Sequence, residues 1–163
     1  MQVACLLIRN YPYRVEVQRC PELRSRPVLI VQAEGSRRTV LDHSPGVTGV
    51  APGMPLPQAL SFCKDAVLRE ADCAKYEDEF KRTLDALGRR SPVVERAGLG
   101  CAYIGLDGLA PMYGGDTQVV AAMLGAVPGG FEPRLGVAGG KFPAYMAALM
   151  ARPGHILEMV EPV

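Results

Sequence analysis

The feature that most restricts this chain is its uneven succession of short apolar runs and amphipathic stretches. Residues 3–8, Val-Ala-Cys-Leu-Leu-Ile, carry no charge, the pattern of a strand buried on both faces. Asn10 and Pro12 follow as a helix start and predict a short helix over 13–20. Pro21 and Pro27 bracket a polar loop, and strands are expected over 28–32 and 38–41 with Glu34-Gly35-Ser36 as the turn. A loop rich in Gly and Pro covers 44–55, then a short helix over 58–63 and a short strand over 66–70.

The clearest helix spans 74–87. Tyr76, Phe80, Leu84 and Leu87 share one face, while Glu77, Lys81 and Arg82 fall off it, and Gly88 is the expected stop. Strands over 93–96 and 101–106 come next, joined by Ala97-Gly98-Leu99-Gly100. A helix over 117–124 takes Asp116 as its cap. A strand over 134–137, a helix over 142–151 and a strand over 156–160 complete the chain. With residues 20–72 set aside, the order is strand, helix, strand, strand, helix, strand, then one more helix and strand. That is the split βαβ, ferredoxin-like order, whose right-handed crossovers lay helices across one face of the sheet. The fold class expected is therefore α+β: a mixed sheet from residues 1–19 and 73–163, with a small α/β subdomain inserted at 20–72.

Composition narrows the function classes. The chain has 163 residues and a formal net charge of +1, without the basic excess usual in a dedicated nucleic-acid binder. Any DNA contact must come from a local patch or from other segments. Cys5, Cys20, Cys63, Cys73 and Cys101 are odd in number, with no C-x-x-C pair, which argues against a disulfide framework and a zinc site. The apolar opening is too short for a signal peptide, and no stretch approaches the ~20 apolar residues of a membrane span. A reducing, cytoplasmic setting is expected.

Four segments carry a family resemblance. Residues 15–31 run Val-Glu, then Pro21-Glu22-Leu23, then Pro27-Val28. Residues 49–60 read Gly-Val-Ala-Pro-Gly-Met-Pro-Leu-Pro-Gln-Ala-Leu. Residues 91–103 open on Ser-Pro-Val-Val-Glu and end on Ala-Tyr, and residues 136–153 contain Gly-Lys-Phe and end on Ala-Arg-Pro. In this order and spacing they resemble the palm and fingers of the Y-family translesion DNA polymerases; the thumb and little finger would lie beyond Val163. The resemblance implies DNA repair, damaged or primer-template DNA as partner, and a bacterial nucleoid-associated location. A replicative or translesion polymerase and a sliding clamp would be met through regions outside this chain.

The departures from that family concern its chemistry. Its members hold two metal ions with three carboxylates, because magnesium prefers hard oxygen ligands and paired metals stabilise attacking and leaving oxygens. Counting from Val15-Glu16 puts the first carboxylate position at Leu7 and the second Asp of the D-x-D pair at Arg9. The other two carboxylates fall on Gly100 and Cys101, and the nearest downstream acid is Asp107. The family's Y-x-x-R pair in the fingers falls on His43 and Gly46. Lys141 matches its phosphate-contacting lysine, and Tyr145 replaces a second one. Residues 105–115 are similar to a stretch of the ImuB-type branch, whose members are pseudo-polymerases.

These departures imply no catalytic residue, no metal and no cofactor, magnesium returning only under another register. The expected function is thus a scaffold that binds DNA or recruits a polymerase in translesion mutagenesis and is not itself an enzyme. Lys141 opens a helix after Gly139-Gly140 and could hold a nucleotide phosphate. Arg37 and Arg38 flank a hairpin turn and could touch a DNA backbone. Lys81-Arg82 and Arg89-Arg90 read as surface charge, and His43 and His155 as structural. Two alternatives stand beside the scaffold: an adaptor that never touches DNA, and a nucleotide sensor reusing the palm.

Overall fold

Val3 to Leu6 are buried: two neighbouring strands pair with the edges of their strand, and the side chains on both of its faces meet protein. In the computed structural model, which describes residues 1–159, that strand is β1 (Val3–Leu7). Chain order continues with α1 (Tyr11–Arg19), β2 (Val28–Glu34), β3 (Arg37–His43), α2 (Leu56–Phe62) and β4 (Val67–Glu70). The longest helix is α3 (Cys73–Gly88), followed by β5 (Val94–Gly98), β6 (Cys101–Gly105) and α4 (Ala110–Tyr113). Then come α5 (Asp116–Leu124), β7 (Arg134–Ala138), α6 (Lys141–Met150) and β8 (Ile156–Glu158). The last residue of the strand expected over 156–160 lies outside the described residues.

The chain forms two compact units, Met1–Arg9 with Asp78–Val163, and Asn10–Glu77. In the first, five strands lie in the order β5-β6-β1-β7-β8, the ferredoxin-like arrangement with one strand added. Pairing is antiparallel except between β7 and β8, so the sheet is mixed. Gly136 lies opposite Cys5 and lets α6 down onto the sheet. A Cβ there would sit 2.1 Å from the Ala144 carbonyl oxygen and 2.2 Å from the Ala148 nitrogen. Val3, Cys5, Ala138, Ala144 and Ala148 form the core beneath that helix.

The second unit packs a three-stranded sheet, β3-β2-β4, around Leu29, Val31, Val40 and Ala59. Its polar interior is organised by two carboxylates. Glu16, 2% exposed, accepts the Tyr76 phenol at 2.7 Å, with Arg69 at 3.5 Å and Arg19 at 3.7 Å. Burial and that hydrogen bond both push the Tyr76 phenol pKa upward, so the proton stays on the donor. Asp42 accepts the backbone N–H of Tyr13 at 2.9 Å and the Asn10 amide at 3.0 Å. Burial still raises its pKa above the usual Asp value, against the lowering effect of those bonds.

These contacts give α1 and the start of α3 to the second unit, whereas the sequence division at 20 and 72 assigns both to the first. Two local expectations are corrected and one holds. Gly115 caps α5, and Asp116 is its first residue. α3 ends at Gly88 as expected, and the Arg90 guanidinium donates to the Ala86 carbonyl at 2.8 Å beside it. The polar loop after Pro21 contains a 3-10 turn over Pro21–Ser25. That turn and the four-residue α4 are too short to show periodicity.

Three substitutions test the packing and its buried hydrogen bond. Gly136→Ala lowers unfolding free energy by about 3 kcal/mol or more, since backbone on α6 must move. Gly88→Ala meets nothing within 4 Å and raises stability by about 0.5–1 kcal/mol. Tyr76→Phe removes the donor to Glu16 and costs about 1–3 kcal/mol. Urea midpoints of the three variants check all of these.

Candidate functional site

The centre of the five-stranded sheet is built by register. Pairing of β1 with β6 sets Leu7 opposite Cys101 and Cys5 opposite Tyr103. Leu7, Cys101, Tyr103 and Tyr145 all pack against the apolar cluster of Val3, Cys5 and α6. Gly100 turns the chain between β5 and β6 with φ 82°, a left-handed conformation that an L side chain adopts only under strain. Its carbonyl accepts the Ile8 N–H at 2.7 Å, tying the turn to the end of β1.

The structure thus brings together Leu7, Gly100 and Cys101, the three positions singled out in sequence. Tested against the magnesium pair of the Y-family, they do not fit. One is an alkyl chain in an apolar cluster, one has no side chain, and one is a soft thiol. Among the described residues no three His, Cys, Asp or Glu side chains are grouped to hold a metal ion. Asp107 lies past the opposite end of β1, where its carboxylate accepts the Gln2 N–H at 2.9 Å. Leu7 to Val3 alone spans four residue steps, about 13 Å of strand.

What occupies this centre is sulfur. The Cys5 and Cys101 Sγ atoms are 3.8 Å apart, Cys5 fully buried and Cys101 half-buried. The hydrogen bond between them lowers the Cys101 pKa and raises that of Cys5, which burial raises further, so the proton rests on the deeper sulfur. Sequence reading took Cys101 alone; the diagonal neighbour two residues before Leu7 became visible only with the register. The Tyr103 phenol pKa is raised, first by burial and then by the nearby thiols.

Lys141, the first residue of α6, pairs with the exposed Glu95, and its ammonium lies 5.8 Å from the Tyr103 ring centroid. Glu95 is the strand partner of Tyr103, so one register places all three. Tyr145 stands where the family has a second lysine and packs on the sheet instead.

Within the second unit, Arg37 and Arg38 open β3 after Gly35 at φ 63°, as the hairpin required. Arg38 is ion-paired with Glu70, and Arg37 is exposed opposite Glu34. His43 is half-buried, with a ring nitrogen 2.8 Å from the Ser44 carbonyl. Gly46 lines a concavity of about 360 Å³ shared with Tyr13, Ser44, Arg24 and Arg26. The last two are exposed cations that the sequence reading passed over; the run Arg24-Ser25-Arg26 before Pro27 was the available signal. No helix among the described residues is long and apolar enough to cross a membrane.

Comparison with known proteins now bears on this geometry. DNA polymerase IV of Caulobacter vibrioides is 30% identical over 142 residues, covering 85% of this chain and 35% of that protein. A DNA polymerase IV of Dehalococcoides mccartyi is 28% identical over 150 residues, covering 89% of the chain and 38% of that protein. The chain therefore spans little more than a third of these curated relatives. Among solved structures, DinB from Sulfolobus solfataricus superposes with a TM-score of 0.83 at 19% identity, over 98% of this chain and 48% of that one. A post-insertion binary complex of Dbh DNA polymerase gives 0.84 at 18% identity, over 99% and 49%. At such identities the structures show the fold alone.

The relatives overturn one expectation. Curated relatives named DNA polymerase IV point to an enzyme, so the reading of this chain as a non-enzyme is withdrawn. Three positions at one end of a sheet bear on one metal chemistry, while an activity belongs to the whole protein. The comparisons choose no branch within the family, and the ImuB-type assignment gains nothing from them. Residues 6–149 match the impB/mucB/samB family across most of the palm-like and inserted units, and the chain belongs to that family of Y-family DNA polymerase domains.

Proposed function

We propose that this chain works in translesion DNA repair by engaging the phosphate backbone of primer-template DNA with its palm and fingers. The family match over residues 6–149 carries this reading, and neighbours described as binary and ternary complexes of Dbh DNA polymerase support it. Relatives named DNA polymerase IV support transfer of a nucleotide to a primer end as the reaction class of the whole protein. With a net charge of only +1, affinity has to come from local clusters. The concavity flanked by Arg24 and Arg26 is one such cluster, and the exposed Arg37 is a second contact. Arg38 contributes less, because Glu70 already neutralises it.

Backbone contacts release counterions, so affinity must fall steeply with salt. Anisotropy titrations of a labelled primer-template across salt concentrations measure that slope. Arg24→Ala with Arg26→Ala lowers the logarithmic slope by roughly 2. No DNA affinity even at low salt would remove the reading and favour the adaptor.

Lys141 is the proposed phosphate contact of the first unit, and to serve it the ammonium must exchange Glu95 for the ligand. Lys141→Ala then weakens nucleotide binding by roughly tenfold, and Glu95→Gln strengthens it. The Lys141 substitution costs under about 1 kcal/mol in stability, since the ion pair is exposed. Titration calorimetry with nucleotide separates the two effects; equal heats in both variants would exclude Lys141.

A further inference from the structure

We propose that Cys5 and Cys101 form a two-sulfur site for a thiophilic d10 cation of the zinc group. Their Sγ atoms are 3.8 Å apart across the β1–β6 ladder. Two metal–sulfur bonds of about 2.3 Å at a tetrahedral angle span about 3.8 Å, so the sulfurs already sit at the edge length of a thiolate site. Disulfide closure fits less well. Cys5 pairs with Tyr103 and Cys101 with Leu7, which makes the cysteines diagonal neighbours. Such neighbours have Cα atoms about 7–8 Å apart, beyond the roughly 4.4–6.8 Å that a disulfide spans.

The environment favours a soft ion over a hard one. Leu7, Tyr103 and Tyr145 pack against the same apolar cluster as the two cysteines, and Cys101 is half-buried, leaving it as the side of entry. Uptake releases both thiol protons to solvent as two metal–sulfur bonds form, with no change of oxidation state. With only two protein ligands, water or a small exogenous thiol completes the coordination. The inference rests on the β1–β6 register and stands independently of DNA binding.

The test uses the full chain, reduced, with cadmium alone as the probe. One equivalent should produce an ultraviolet thiolate-to-metal band, unaffected by excess magnesium and weakening as pH falls. Cys5→Ser and Cys101→Ser each abolish the band, while the triple variant Cys20→Ser, Cys63→Ser, Cys73→Ser retains it. Should the buried Cys5 variant fail to fold, the triple variant still decides, because cadmium must slow alkylation of its Cys101. A band lost in the triple variant would overturn the site. So would mild peroxide converting the pair to a disulfide that folds as stably as the reduced chain.

Discussion

The antiparallel ladders that hold β1 between β6 and β7 are the constraint on which the first unit depends. They saturate both edges of the buried Val3 to Leu6 run and set which side chains meet at the centre. Because side chains alternate along a strand, a slip of one residue would exchange the Cys5–Leu7 face for the Ala4–Leu6 face. Gly136 on the neighbouring strand then decides how close α6 can come, since backbone occupies the space where a Cβ would stand. Cys5, Cys101, Tyr103 and Lys141 owe their arrangement to these two features.

In the second unit the organising interactions are polar. Glu16 and Asp42 are buried carboxylates, each costly to desolvate and each met by donors from other segments. Glu16 joins α1 to Tyr76 and Arg69; Asp42 joins β3 to Asn10 and Tyr13. A carboxylate stripped of such donors would be an uncompensated buried charge, so these contacts specify which segments associate. They also explain why α1 travels with the inserted sheet.

Family and local chemistry address different scales. Membership of the impB/mucB/samB family rests on 144 matched residues, 6–149, and places the chain among polymerase domains. The centre of its palm-like sheet holds an alkyl group, a turn glycine and a thiol pair, a set with no hard ligand for magnesium. Gly100 illustrates the coupling of turn to site, because its left-handed backbone is what closes the β5–β6 hairpin.

Much of the architecture could be read from the sequence. The apolar run of β1, the Tyr76-Phe80-Leu87 stripe of α3 and the Gly-marked hairpins produce their periodicity locally, so strands and helices were found within a few residues. Short elements such as α4 were missed because four residues hold no full period. The motif spacing likewise pointed to the family. Three things became visible only in the folded chain: the approach of Cys5 to Cys101, the pairing of Lys141 with Glu95, and the concavity of Arg24 and Arg26. Each joins residues set by pairing register or loop path across 46 or 96 positions of chain, or across separate loops. Local sequence carries propensity and pattern, whereas proximity between distant segments is created by tertiary packing alone.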